Sequence, residues 1–300
     1  MIKKDSGLCE DAFFLQENAA GISDGVGGWS DYGITSSSFS KSLMKNCSYL
    51  IKRKEKENYC TREESFDSSI QDSILFGSDD LSFSYKEEQA STSKTSCIID
   101  PSIILGQAYE RVSFVGSATG LVCVLNEREL SCANIGDSRF LLVRFDDKDN
   151  PFVLLQSSVQ QHVFNTPYQL AKIPSVMEIE YGLQQQLISP HEITEILSEY
   201  EHLEFCQDPP ESAQLYQTTI QEGDLLILAT DGLFDNLFLK EIMQIIRKTI
   251  NGRPHNKVPP KEIAHAIALR AYERSKSRLE ESPFGEELKK NGEPENRVRM

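Results

Sequence analysis

The chain has 300 residues, of which 39% are hydrophobic and 26% charged, the make-up of a globular protein long enough to bury a substantial core. With 31 basic against 46 acidic residues the net charge is -15. This argues against nucleic acid and anionic membranes as partners, since both select basic surface, and agrees with a solvated acidic exterior or a cation site. Seven cysteines without a Cys-x-x-Cys pair do not make a disulfide framework, so an intracellular reducing compartment is expected. No run of 18 apolar residues offers a transmembrane helix.

The first residues, Met1–Gly7, form neither a signal peptide nor an Arg-rich transit peptide and run almost straight into an acidic motif, so upstream sequence is expected. Short strands are predicted near 11–16 and 20–24, then a helix near 36–53 opened by a run of Thr and Ser. Residues 54–96 are Lys/Glu-rich and then Ser-rich without apolar periodicity, and read as an inserted loop. A helix near 101–113 leads to strand-like runs at 118–125, 130–135 and 139–145, the first two joined as a hairpin through Asn126–Glu129. Cys123 and Cys132 fall inside these runs and read as core thiols. Residues 184–210 read as a second insertion, helical around 191–203. Gln217–Ile220 and Asp224–Thr230 read as strands flanking Glu222-Gly223, and helices near 238–250 and 260–278 follow. Antiparallel strands with segregated helices give an α+β sandwich, as one domain over 1–300.

The chemistry lies in acidic residues set beside glycine at strand ends. Glu10 and Asp11 precede an apolar run; Asp24-Gly25-Val26-Gly27-Gly28-Trp29 follows Gly21-Ile22-Ser23. Asp137 sits in Gly136-Asp137-Ser138-Arg139, and Asp231-Gly232-Leu233-Phe234-Asp235-Asn236 ends the apolar run 225–230. Each alone reads equally as a turn. Carboxylates at several strand ends, with glycine admitting the backbone as an extra oxygen donor, are what hard divalent cations require. His162 reads as a loop residue packing beneath the substrate face.

The motif order, together with Gly116-Ser117-Ala118-Thr119, resembles the metal-dependent serine/threonine protein phosphatases of type 2C. The stretches 24–32, 39–44 and 160–170 are similar to the branch with mitochondrial members of yeast and animals, in which valine, here Val26, stands where many relatives carry histidine. The resemblance implies a four-layer α/β/β/α sandwich holding two Mg²⁺ or Mn²⁺ ions, with a weaker third. Asp24 would bridge the pair, Glu10 and the Gly25 carbonyl would hold one ion, and Asp231 the other; Asp137 matches the third. Asp24 and Asp231 then take the catalytic role. Ions about 4 Å apart lower the pKa of a bridging water, which attacks phosphorus in line. The implied partner is a phosphorylated protein substrate, a monomer is expected, and the branch implies a mitochondrial location although no targeting peptide is visible.

Two departures stand out. The family's last metal aspartate falls on Glu295, in Gly292-Glu293-Pro294-Glu295-Asn296, and the final strand looks truncated by Met300. The family's phosphate-binding arginine is absent, with Ser6 in its place. A phosphoprotein-binding pseudophosphatase that has lost a ligand therefore stays open beside the phosphatase, as does a hydrolase of a small phosphorylated metabolite.

Overall fold

The structure is a computed structural model that describes residues 9–71, 98–185, 189–200, 205–277 and 279–292. Strands β1 (Ala12–Leu15) and β2 (Ala19–Ser23) precede helices α1 (Ser37–Gln71) and α2 (Pro101–Glu110). Then come β3 (Gly116–Ala118), β4 (Gly120–Asn126), β5 (Glu129–Ile135), β6 (Arg139–Phe145), β7 (Pro151–Gln156), β8 (Gln161–Val163), β9 (Thr166–Pro167) and β10 (Leu170–Lys172). Helices α3 (Val176–Gln185) and α4 (Pro190–Tyr200) lead to β11 (Gln214–Thr219) and β12 (Leu225–Ala229). The chain continues with the single turn α5 (Asp231–Phe234), α6 (Leu239–Ile250), α7 (Pro260–Lys276) and α8 (Pro283–Lys290).

Two antiparallel sheets carry the molecule, a five-stranded one in the order β1-β2-β4-β5-β11 and a three-stranded one in the order β12-β6-β7. Period-2 alternation assigns each strand two faces. Val122, Val124, Ala133 and Ile135 face outward under Phe39, Leu43, Met44, Ile104 and Leu105 of α1 and α2. Leu121, Cys123 and Cys132 face inward and meet Phe140 and Leu142 of β6. The alternate residues of β6, Leu141 and Val143, pack on Ile242, Ile246, Ile263 and Ile267 of α6 and α7. The expected α/β/β/α layering follows directly, with Cys123 and Cys132 buried free thiols in its middle. A satellite cluster of Trp29, Ile179, Leu183, Ile193 and Tyr200 sits under α3 and α4.

Several local expectations are corrected. The stretch read as a loop from residue 54 begins as helix, because α1 runs on to Gln71. Lys and Glu are good helix formers, and Arg53 pairs with Glu57 one turn on (2.8 Å). Residues 72–97 lie outside the described residues, as do 293–300, on which the reading of a truncated final strand falls. Over the stretch read as a second insertion, helix α4 covers Pro190–Tyr200, and helix α3, not anticipated, runs into it from Val176. The first strand flanking Glu222-Gly223 begins earlier, at Gln214; it lies on β5 and β12 on β6, so this turn carries the chain from one sheet to the other. Strands β7–β10 and helix α8 were not anticipated.

Phe140 is fully buried and meets Tyr216 edge-on (5.2 Å, 83°), whereas Phe13 is 78% exposed. Phe140→Ala is expected to cost about 3–5 kcal/mol in urea denaturation and Phe13→Ala less than about 0.5 kcal/mol. Equal losses would contradict the packing described.

Candidate metal centre

The strand ends converge at one edge of the sandwich. Asp24 leaves β2, and its backbone is clamped by Thr119: the Asp24 N–H donates to Thr119 Oγ1 (3.1 Å) and the Thr119 N–H to the Asp24 carbonyl (2.9 Å). Thr119 Oγ1 in turn shares a hydrogen bond with Ser138 Oγ (2.8 Å), one residue beyond Asp137. Gly25 forms a bridge with Ala118, flanked by the Asp24–Thr119 bond and by Val26 N–H donating to the Ser117 carbonyl (3.0 Å). This pattern turns the carbonyl of Gly25 away from β3. A Cβ there would come within 2.8 Å of the Glu10 carbonyl and 3.0 Å of Ser36 Cβ, so only glycine fits.

Asp11 leads into β1, whose register sets Ala12 opposite Ser23 and so Asp11 beside Asp24. Asp231 opens α5 directly after β12. The Asp24 carboxyl hydrogen-bonds to both Asp11 and Asp231, and Asp11 also engages the Thr230 side chain. Burial, then the charges of Asp231 and Asp11, push Asp24 up to about 10. Burial raises Asp11 as well. Asp137 stands outside this trio; burial and then Asp231 raise it to about 6, opposed by a hydrogen bond from Gln161. Gly136 makes its placement possible: φ is +102° there, and a Cβ would lie 2.6 Å from Thr119 Cγ2 and 2.7 Å from the Tyr168 carbonyl.

Among the described residues no three acidic, imidazole or thiol groups are splayed as a ready-made ion cage; the aspartates turn toward each other instead. Like charges this close, and partly withdrawn from water, call for shared protons or cations. The donors are carboxylate oxygens, the set that suits Mg²⁺ and Mn²⁺ rather than soft metals. The residues therefore fit such ions.

No protein-family model matches the chain. It is 30% identical to the human protein phosphatase PTC7 homolog over 298 residues, which cover 97% of this chain and 76% of that protein. The Danio rerio PTC7 homolog is 31% identical, with coverage of 95% and 76%. The chain belongs to the protein phosphatase 2C family. It spans 28% of the length of the Arabidopsis thaliana probable protein phosphatase 2C 62 and 48% of that of the probable protein phosphatase 2C 80, at 28% and 29% identity and with 94% and 92% of this chain matched. The X-ray structure of the photosystem II phosphatase PBCP superposes with a TM-score of 0.61 at 22% identity, covering 94% of this chain and 80% of that one, which shows the shared fold.

In this member of the protein phosphatase 2C family, Asp24 and Asp231 meet, and Asp137 lies close to Asp231. The Glu10 carboxylate lies at Gly27, where a Cβ would come 2.9 Å from its Oε2. Glu295 lies outside the described residues. Sequence reasoning missed Asp11 as a member of the trio. It also missed Asp235, which burial and then the charges of Asp231 and Asp137 raise to about 7. The spacing of Asp231 and Asp235, four residues apart on a helical turn, was the available signal. His162 is held by Asp208 (3.0 Å) and stacked on Tyr168 (4.0 Å between centroids), as a packing residue would be.

A carboxyl whose pKa is raised by folding stabilises the folded chain below its unfolded value near 3.8, and that stability is lost as pH rises toward the folded value, about 10 for Asp24. The metal-free protein is therefore expected to lose thermal stability steadily between about pH 5 and 9. Mn²⁺ should restore more of it at high pH, and at pH 7 its binding should release about one proton, read by calorimetry in buffers of differing ionisation enthalpy. Metal-free stability that rises over this range would refute the shared-proton arrangement.

Proposed function

We propose that this chain hydrolyses phosphoserine and phosphothreonine esters in proteins, using two Mg²⁺ or Mn²⁺ ions held by Asp24 and Asp231 with Glu10, the Gly25 carbonyl and Asp11. The observation that carries this reading is the crowding of Asp11, Asp24 and Asp231, joined by hydrogen bonds at the ends of three chain segments. Family kinship and the hard oxygen donors support it. Residues 1–300 then act as one catalytic domain, and Asp137 and Glu295 are assigned as outer or additional ligands. Resemblance to the branch with mitochondrial members makes a mitochondrial location part of the same reading.

The ions, when bound, supply a water acidic enough to ionise near neutral pH and offset charge on the phosphoryl oxygens. The chain's own residues do the rest. Thr119 fixes the Asp24 backbone on both sides, so its carboxylate lies between Asp11 and Asp231 without a search through rotamers of the loop. Asp24 would have to give up its proton before it could hold an ion, which would couple metal loading to pH. Thr230 orients Asp11, and Gln161 orients Asp137. Val26 contributes a backbone hydrogen bond to Ser117 and no imidazole, so no side chain moves a proton from that position.

The test is hydrolysis of p-nitrophenyl phosphate and of a phosphothreonine peptide with Mn²⁺ and with EDTA. Asp24→Asn and Asp231→Asn should each lower turnover at least about a hundredfold while the fold persists. Undiminished turnover in EDTA, or in either variant, would remove the two-ion reading. Mn²⁺ binding without turnover on either substrate would leave a phosphoprotein-binding module instead.

A further inference from the structure

The chain carries no lysine or arginine between Lys172 and Lys240. Helices α3 and α4 fall within that stretch and carry Glu178, Glu180, Glu192, Glu195 and Glu199. Among the described residues, the one ion pair these glutamates make is that of Glu195 with His191 (3.6 Å). Beside them α3 leaves an apolar pair uncovered: Met177 is 79% exposed and Tyr181 67%. One helical turn separates the two, so they share a face; Glu180 follows Met177 by three residues and Glu178 precedes Tyr181 by three. The opposite face of the helix, Ile179 and Leu183, is already buried in the cluster with Trp29. Met177 and Tyr181 therefore stand outside the core, and both are side chains that the centres of protein interfaces favour.

This face is fixed relative to the metal centre. Gly182 of α3 packs backbone against backbone on Gly33, where φ is +76° and a Cβ would come within 2.7 Å of the Gly182 carbonyl carbon. Gly33 closes the glycine-rich turn that begins at Asp24. The Tyr32 ring meets Tyr200 of α4 edge-on (5.3 Å, 62°). Carboxylates gather about this ring pair: burial, then Glu199 and Asp31, raise Tyr32, and burial, then Glu178, raise Tyr200. We propose that the exposed face of α3 docks the basic flank of the phosphoprotein substrate, a segment in which lysine or arginine accompanies an apolar residue. The apolar residue and the stems of the basic side chains cover Met177 and Tyr181, while the cationic heads meet the glutamates. The run from Asp24 to Gly33 spans from the centre to α3, so a segment anchored at the centre by its phosphoryl group has this face alongside. A second copy of the chain does not fit here, because a two-fold contact would set each acidic face against its own like. This inference rests on the phosphoprotein reading above.

Two labelled phosphothreonine peptides of equal length test it, one flanked by arginine and leucine, the other by glutamate and leucine. Each is also made with a methylene in place of the ester oxygen, so that binding is read without turnover. Fluorescence anisotropy on the whole chain with Mn²⁺ should show the basic analogue bound roughly tenfold or more tightly than the acidic one, with the gap closing as ionic strength rises. Glu180→Lys combined with Glu199→Lys should remove or reverse the preference. Met177→Ser combined with Tyr181→Ser should weaken the basic analogue at low and high ionic strength alike. Circular dichroism establishes that each variant folds, and p-nitrophenyl phosphate, which has no flanking chain, reports on the centre alone. Equal affinities in wild type, no binding of either analogue, or a preference for the acidic one would overturn the inference without any variant. So would folded variants that keep the wild-type preference, or self-association in sedimentation that Met177→Ser with Tyr181→Ser abolishes. A wild type that prefers the basic analogue but hydrolyses neither peptide nor p-nitrophenyl phosphate would remove the phosphatase reading and leave the docking face. Hydrolysis of both peptides with equal kcat/KM would remove the docking face alone.

Discussion

Repulsion among crowded carboxylates governs this molecule. Asp24 is pushed up to about 10 by burial and by two neighbouring aspartates, and nothing in the packing relieves that pressure from within. A fold that brings Asp11, Asp24 and Asp231 together must supply the rigidity to hold them against their own charge. The two-sheet core does so. Thr119, at the head of β4, ties Asp24 to Ser138 and hence to the loop that carries Asp137. Each aspartate is therefore anchored by backbone geometry rather than by its side-chain contacts. A centre built this way keeps its shape whether protons or cations balance the charge.

The layering explains why the site lies where it does. Strands that alternate large apolar residues on both faces must be covered twice. Thus β4, β5 and β6 are sandwiched between helices and the facing sheet. Polar groups cannot enter those layers cheaply, and they collect at the strand ends, where chains reverse and glycine is tolerated. The aromatic cluster under α3 and α4 reaches this same edge. Trp29 follows the Asp24 motif, donates Nε1–H to Ser117 Oγ (2.7 Å) and stacks on Phe205 (5.2 Å). The segment after β10 is thus tied to the glycine-rich turn beside the carboxylates.

Local chemistry made much of this legible in the sequence. Asp24 and Asp231 follow short apolar runs and precede glycine, a pattern that fixes strand, end and turn without tertiary information. The paired runs of β4 and β5 and the residues of β6 were read almost to their bounds for the same reason. What escaped depends on register. Glu10 and Asp11 are adjacent, so they leave the backbone in different directions. Which of them joins Asp24 is decided by Ala12 lying opposite Ser23, a fact of pairing that the sequence does not display. The helix beyond residue 53 escaped because no apolar period marks it. Its stability there comes from propensity and neighbouring charges, which a search for amphipathicity overlooks.

The far end of the sandwich shows how register is defended. β12 is only five residues long, and Asp231 must emerge from it on the correct side. A slip by one residue would exchange its two apolar faces and turn Asp231 away from Asp24. Immediately before the strand, Asp224 accepts two hydrogen bonds from Arg144 of β6 (2.8 and 2.7 Å), and its side chain is 3% exposed. Planar, two-point pairing of this kind admits one alignment of β12 on β6, in a way that a single contact does not. Gly223 just upstream reinforces it. It holds φ at +93° and lies so close to His255 that a Cβ would come within 2.5 Å of Nε2. His255 is itself fixed by Asp149 (2.5 Å) and stacked on Phe145 at the end of β6. Ion pairs at one end of the strand thus set the position of the carboxylate at the other. The polar pins and the candidate centre occupy opposite ends of the same short element because both need an escape from the apolar layers between them.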